Sequence, residues 1–356
     1  MKSYAVIMAG GKGTRFWPES TSQKPKQYLN LTGKGSLLGI TLKRFDGMID
    51  SDNRFVVTVK QQEALAGASS HELIHPQGLI FEPSGRNTAP CILLSMAHLE
   101  SLGAKEEDVL AIVPSDHVIL NEEGFRETMK KSIKLATENE SIVTIGIPPH
   151  FPHTGYGYIQ KGEAMGTDSF KVKEFKEKPD RQTAEKYLSS GQYVWNAGMF
   201  VSTLKVLKEE FLRCSPETFS FYPELLESIG DELKVASVYD RIPKDSIDYA
   251  VMEKSQKVSV VPASFDWNDL GSWDALEAVM EQTSENTLVG ERGSYISESV
   301  GNIVYAPNKY VSLIGVNDLI VVSNDKTLVV LPKDRSQDVK NIVEHLKKSE
   351  DFSDLL

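Results

Sequence analysis

The chain has 356 residues, of which 40% are hydrophobic and 25% charged, and its formal net charge is -11. That length favours one large domain with an appendage, or two domains, over a single small core. The acidic balance argues against a protein that coats nucleic acid or an anionic membrane, because both need a basic face.

The expected elements alternate from the N-terminus. Short apolar runs at Tyr4 to Met8, Phe55 to Val59, Leu79 to Phe81, Val109 to Val113 and Ile142 to Ile147 suit strands buried on both faces. Between them, Leu37 to Ile49, Ala89 to Leu102 and Glu122 to Glu138 carry apolar residues at spacings of three and four and read as helices. This is the pattern of an α/β, Rossmann-like, doubly wound and mostly parallel sheet over roughly the first 150 residues. Its ligands are expected outside the carboxyl ends of the strands, where the loops opening at Gly10, Glu82 and Pro114 meet.

Further strands are expected near Tyr156 to Gln160, Phe170 to Phe175 and Met199 to Ser202, interrupted by helices, and a helix over Ser272 to Glu281 closes this part. After Thr283 the texture becomes short and β-rich: Gly301 to Tyr305, Tyr310 to Gly315, Leu319 to Ser323 and Thr327 to Leu331, followed by an amphipathic helix over Gln337 to Lys348. The expected division is therefore 1–283 and 284–356.

Cys91 and Cys214 lie far apart without CxxC spacing, as expected of free thiols in a reducing compartment. A single lysine precedes the first strand-like run, with no apolar leader, and no stretch approaches about eighteen apolar residues. These features point to a cytoplasmic protein with no membrane partner.

Residues 8 to 27, MAGGKGTRFWPESTSQKPKQ, follow the first strand directly. A dinucleotide fingerprint beginning at Gly11 and Gly13 meets Phe16 where its third glycine belongs, and a P-loop beginning at Gly10 meets Arg15 where its second glycine belongs. Both named motifs fail on spacing. What remains is a glycine-rich turn whose N–H groups can approach phosphate oxygens, with charge from Lys12, Arg15 and Lys26.

His71-Glu-Leu-Ile-His75 is a literal HExxH, but Pro76 follows directly and pushes His75 out of the α region, so it reads as the end of a surface helix and not as a zinc site. The remaining histidines suggest no ligand cluster.

The stretch from Gly10 to Pro18 with Pro25-Lys-Gln27 resembles the signature of sugar-nucleotide pyrophosphorylases, specifically the bacterial mannose-1-phosphate guanylyltransferases. The similarity continues in order through Glu82-Pro-Ser-Gly-Arg-Asn-Thr-Ala-Pro90, Pro114-Ser-Asp-His117, Phe175-Lys-Glu-Lys-Pro-Asp180, Trp195-Asn-Ala-Gly-Met-Phe200, Ser246-Ile-Asp-Tyr-Ala-Val-Met252 and Trp267-Asn-Asp-Leu-Gly-Ser-Trp273.

The resemblance implies transfer of GMP from GTP to mannose 1-phosphate with release of pyrophosphate, and Arg15 and Lys26 as catalytic contacts to the triphosphate. It implies nucleotide binding by Ala9, Gly10, Gly11, Gly13, Thr14, Glu82, Arg86 and Asn87, and sugar phosphate binding by Gly155, Glu177, Lys178, Asn196 and Asp248. Asp116, which follows an apolar strand, and Asp269 are the implied carboxylates for one Mg²⁺, a cation that takes one or two protein carboxylates with phosphates and waters. Glu82 suits guanine, whose N1–H and amino group donate, whereas adenine presents an acceptor at N1.

A sugar phosphate is already ionised near neutral pH, its second pKa being about 6, so no general base is required. The resemblance further implies a C-terminal piece like a short left-handed β-helix, a possible homodimer through it, and a single activity. The alternatives are the same chemistry on another hexose 1-phosphate or nucleotide, and an inactive sugar-nucleotide-binding regulator.

Overall fold

A computed structural model describes residues 1–11, 13–166, 168–280, 285–290 and 292–356. The strands β1 (Ser3–Met8), β2 (Arg54–Val59), β3 (Leu79–Glu82), β4 (Val109–Pro114), β5 (Ile142–Ile147), β6 (Tyr158–Ala164), β7 (Phe170–Lys176), β8 (Tyr193–Thr203) and β9 (Val258–Pro262) form one nine-stranded sheet in the order 3-2-1-4-8-5-9-7-6. β1 is parallel to both β2 and β4, so the strand order reverses beside it and opens a crevice at its carboxyl end.

Alternation along β1 explains the layering. Tyr4 and Val6 face one core with Ile92, Met96 and Leu99 of α3 (Thr88–Ser101). Ala5 and Ile7 face the other, with Leu38 and Leu42 of α1 (Leu37–Lys43), Ala66 of α2 (Glu63–Ser70), and Phe125 and Met129 of α4 (Glu122–Glu138). Helix starts follow local chemistry: Asn121 Oδ1 accepts from Gly124 N at 3.0 Å, and Glu122 and Glu123 fill the positive first turn of α4.

Three expectations change. The helix expected over Leu37 to Ile49 ends at Lys43, because Gly47 turns the chain at φ 73, although Phe45 and Ile49 remain buried. The strand expected near Met199 is eleven residues long and runs antiparallel between β4 and β5, which separates two strands expected to be sequential in a parallel sheet. β6 also pairs with β8, closing β8-β5-β9-β7-β6 on itself. In place of the helix expected over Ser272 to Glu281 there is a 3₁₀ turn over Trp273–Ala278. Glu281 and the expected 283/284 junction lie outside the described residues.

The C-terminal strands β10 (Thr287–Val289), β11 (Gly293–Ser297), β12 (Ile303–Tyr305), β13 (Tyr310–Ile314), β14 (Leu319–Ser323) and β15 (Leu328–Pro332) build parallel coils. Thr287 lies opposite Ile303, Ile303 opposite Ile320 and Gly293 opposite Tyr310, so successive coils are sixteen or seventeen residues apart. β15 turns back antiparallel to β14, and the expected amphipathic helix covers Val339–Leu346.

The coils share a core with the glycine loop. Phe16, Trp17 and Leu31 pack in one cluster with Leu270, Trp273, Tyr305, Ile320, Val322 and Val343. Trp273 Nε1 donates to the Trp17 carbonyl at 3.0 Å, and Trp17 Nε1 donates to the Leu355 carbonyl at 2.7 Å.

Candidate active site

The glycine loop is shaped by what it must approach. A Cβ on Gly10 would lie 2.7 Å from Glu82 Oε2, and one on Gly13, whose φ is 50, would lie 2.6 Å from the Lys26 Cβ. Ala9 is buried; its carbonyl accepts from Gln27 Nε2 at 2.7 Å and from Thr58 Oγ1 at 3.1 Å. Gln27 Nε2 also reaches the Gly11 carbonyl at 3.0 Å, so Ala9 supports the loop from behind. Lys12 lies outside the described residues.

Two adjoining cavities open here. The larger, about 420 Å³, is lined by Gly10, Gly11, Glu82, Asn87, Gly155, Glu177, Asn196 and Asp248 among the expected residues. The smaller, about 340 Å³, is lined by Gly13, Thr14, Arg15, Lys26 and Asp116. Asp269 and His117 line both. The loops opening at Gly10, Glu82 and Pro114 therefore meet as expected.

In the smaller cavity the buried Lys26 ammonium donates to Asp116 Oδ2 at 3.0 Å and to the Asp269 carbonyl at 2.5 Å. Burial disfavours the Asp116 carboxylate, but the Lys26 ammonium outweighs it and holds its pKa below the ordinary value. Arg15 is exposed on the rim, with no ion pair to a carboxylate among the described residues.

His117 Nδ1 accepts from Trp267 Nε1 at 3.1 Å, and since the indole N–H can only donate, the neutral ring carries its proton on Nε2, 4.0 Å from Asp116 Oδ1. Burial lowers the His117 pKa and keeps the ring neutral. Tyr156 donates its hydroxyl to Asp269 Oδ1 at 2.7 Å.

At one end of the larger cavity, Asn196 Nδ2 donates to Asp248 Oδ1 at 3.0 Å while its Oδ1 accepts from Thr144 Oγ1 at 3.2 Å and from Gly198 N at 3.0 Å. The pairing of β5 with β8 shifts at this point, and that bulge sets Asn196 facing the cavity from mid-strand. Burial, then the neighbouring Glu177, raises the Asp248 pKa to about 6. At the other end burial raises Glu82 to about 7, partly offset by Tyr239, whose hydroxyl donates to Oε1 at 2.5 Å.

Three expected residues stand differently from the expectation. Arg86 lines neither cavity; its guanidinium donates to the carbonyls of Asp240 and, at 2.9 Å, of Ile242, so it braces the wall behind the site. Lys178 also lies outside both linings, mostly exposed and paired at 2.5 Å with Glu177 Oε1. The Gly155 N–H, expected to serve a sugar, donates to His153 Nδ1 at 3.1 Å.

Tyr156, His117, Trp267 and Tyr239 are the contributors that residue types and spacing did not single out. His117 and Trp267 stood within the family motifs and Tyr156 at the start of an expected strand; Tyr239 had no local signal. The HExxH stretch forms no ligand pair: α2 ends at Ser70, and His71 is exposed beyond it.

Among the described residues no group of three or more His, Cys, Asp or Glu is arranged to hold a metal. A cation between Asp116 and Asp269 would have two carboxylates and would complete its shell from phosphate and water, which suits a hard divalent ion. No helix among the described residues is long and apolar enough to cross a membrane.

Residues 4–286 match the nucleotidyl transferase family, and residues 295–346 match a mannose-phosphate isomerase/GMP-like β-helix domain. Mannose-1-phosphate guanylyltransferase RfbM of Salmonella typhimurium (strain LT2) is 36% identical over 98% of this chain and 74% of its own length. The mannose-1-phosphate guanylyltransferase of Escherichia coli K12 is 34% identical over 97% of this chain and 74% of its own length. A crystal structure from Thermus thermophilus, described as mannose-1-phosphate geranyltransferase, superposes with a TM-score of 0.89 at 35% identity, covering 98% of this chain and all of that one. The chain belongs to the nucleotidyl transferase family, in the group of the bacterial mannose-1-phosphate guanylyltransferases.

Proposed function

We propose that the protein transfers GMP from GTP to mannose 1-phosphate, forming GDP-mannose and releasing pyrophosphate, with Mg²⁺ as the divalent cation, in the cytoplasm. A phosphate oxygen of the sugar attacks the α-phosphorus, the bond from that phosphorus to the β-bridging oxygen breaks, and pyrophosphate leaves with the electron pair. No proton needs to be removed from the nucleophile. The protein's work is to bring two polyanions into line and stabilise the charge at the transferred group.

The observation that carries this reading is the pair of adjoining cavities with Asp269 in the wall of both. The cationic cavity of Arg15 and Lys26 takes the triphosphate, with N–H groups of Gly11, Gly13 and Thr14 beside it. Glu82 and Asn87 take the base and ribose, with Ala9, Gly10 and Arg86 supporting the wall. Glu177, Asn196 and Asp248 take the sugar hydroxyls, with Gly155 in the wall beside them, and Lys178 reaches the sugar phosphate from the rim. Asp116 and Asp269 would hold the divalent cation, which would supply positive charge against the phosphates. Lys26 now rests against Asp116 and is placed to turn to the incoming phosphate.

Pyrophosphate release is the test, with GTP, ATP, UTP and dTTP crossed against mannose 1-phosphate and glucose 1-phosphate. Preference for GTP with mannose 1-phosphate is expected. Preference for another pair overturns the substrate assignment, and no release with any pair favours a regulatory binding protein.

The state of Glu82 adds a pH prediction. Only its carboxylate can accept from both the N1–H and the amino group of guanine, and burial raises its pKa to about 7. As pH falls through that value one acceptor oxygen becomes a donor, so GTP affinity falls between pH 8 and pH 6 by about tenfold more in the wild type than in Glu82→Gln. Calorimetric titration of both proteins cancels the nucleotide's own titration. Parallel pH profiles would remove Glu82 from base reading.

A further inference from the structure

We infer that Tyr156 is a positioning residue that sets the carboxylate of Asp269. The inference rests on the reading of Asp269 as a metal ligand and goes beyond it by assigning what holds that ligand in place. Tyr156 belongs to the loop between β5 and β6, on the side of the larger cavity where Glu177 and Asn196 stand. Its hydroxyl nevertheless reaches across to Asp269 Oδ1 at 2.7 Å.

The ring has little freedom. It stacks on His153 with centroids 3.8 Å apart and planes at 25°, and meets the edges of Trp195 and Trp267 at 5.2 Å each. A phenol gripped by three aromatic neighbours can direct its O–H through a narrow arc only.

Asp269 is held from the backbone side as well, because Lys26 Nζ donates to its carbonyl at 2.5 Å. With Oδ1 engaged by a neutral donor, the carboxylate plane is fixed, and no hydrogen bond holds Oδ2 among the described residues. That leaves one oxygen of defined direction for a hard cation. Without the hydroxyl, the carboxylate can rotate about its terminal bond, and a cation that accepts few protein ligands loses a pre-set one.

The test is Mn²⁺ binding measured by electron paramagnetic resonance in the presence of a non-hydrolysable GTP analogue, on the wild type, Tyr156→Phe and Asp269→Asn. Phenylalanine keeps the aromatic contacts, so its thermal midpoint should match the wild type and isolate the hydroxyl. Tyr156→Phe is expected to raise the Mn²⁺ concentration for half-saturation about tenfold, and excess metal should restore most of its turnover with the KM for GTP unchanged. Wild-type Mn²⁺ binding by Tyr156→Phe alongside weakened binding by Asp269→Asn would overturn the positioning role alone. Wild-type binding by Asp269→Asn would overturn the metal reading of Asp269 and the inference with it.

Discussion

Replacing Asp269 or Asp116 by asparagine is expected to lower the rate of pyrophosphate release by about a hundredfold or more. The amide keeps the shape of the side chain but removes the charge that faces a cation and its phosphates. At Asp269 the change is clean, since an amide oxygen can still accept from the Tyr156 hydroxyl. At Asp116 it also deprives the buried Lys26 ammonium of its carboxylate, so that variant should lose some stability as well as rate. Because Lys26 holds the Asp116 pKa below its ordinary value, the wild-type carboxylate stays ionised into mildly acidic solution. Steady-state pyrophosphate release across a metal titration measures the effect, and near-normal rates in both variants would refute the two-carboxylate site.

The largest structural effect is expected at Trp273. Its side chain is fully buried, with its ring centroid 4.9 Å from that of Phe16 and 5.3 Å from that of Tyr305, and its N–H donates to the Trp17 carbonyl. Trp273→Ala removes that packing and leaves a cavity, at a cost of about 3–5 kcal/mol. The loss falls on the segment that carries Arg15, so turnover at saturating substrate should fall with stability. Urea unfolding followed by fluorescence, with activity assayed well below the midpoint, separates the two effects. A change in unfolding free energy under about 1 kcal/mol would show that the loop does not depend on this contact.

The first half of the fold was legible because strands buried on both faces leave continuous apolar runs, as in Val109 to Val113. The glycine loop was legible by its glycines and cations directly after a strand, and Asp116 by its place after a strand. Of β8 only the end near Met199 to Ser202 was, because Asn196 and Gly198 interrupt the apolar pattern before it, and its antiparallel partners in β4 and β5 lie far away in sequence. Three non-glycine residues beside the cavities, Asn87, Lys178 and Leu270, take left-handed φ values of 71, 45 and 45. Such conformations are imposed by the surrounding structure and leave no local mark. The same holds for Tyr156 and Tyr239, whose partners lie 113 and 157 positions away. In the C-terminal coils the shift between sixteen- and seventeen-residue spacing hid the repeat.

The cluster joining Phe16 and Trp17 to the C-terminal coils has a consequence for how the molecule comes apart. Segments that share a buried core open as one cooperative unit. Fraying of the coils therefore exposes the phosphate-facing turn at the same moment, and thermal inactivation should trace the melting of the coils, with no active remnant persisting above it.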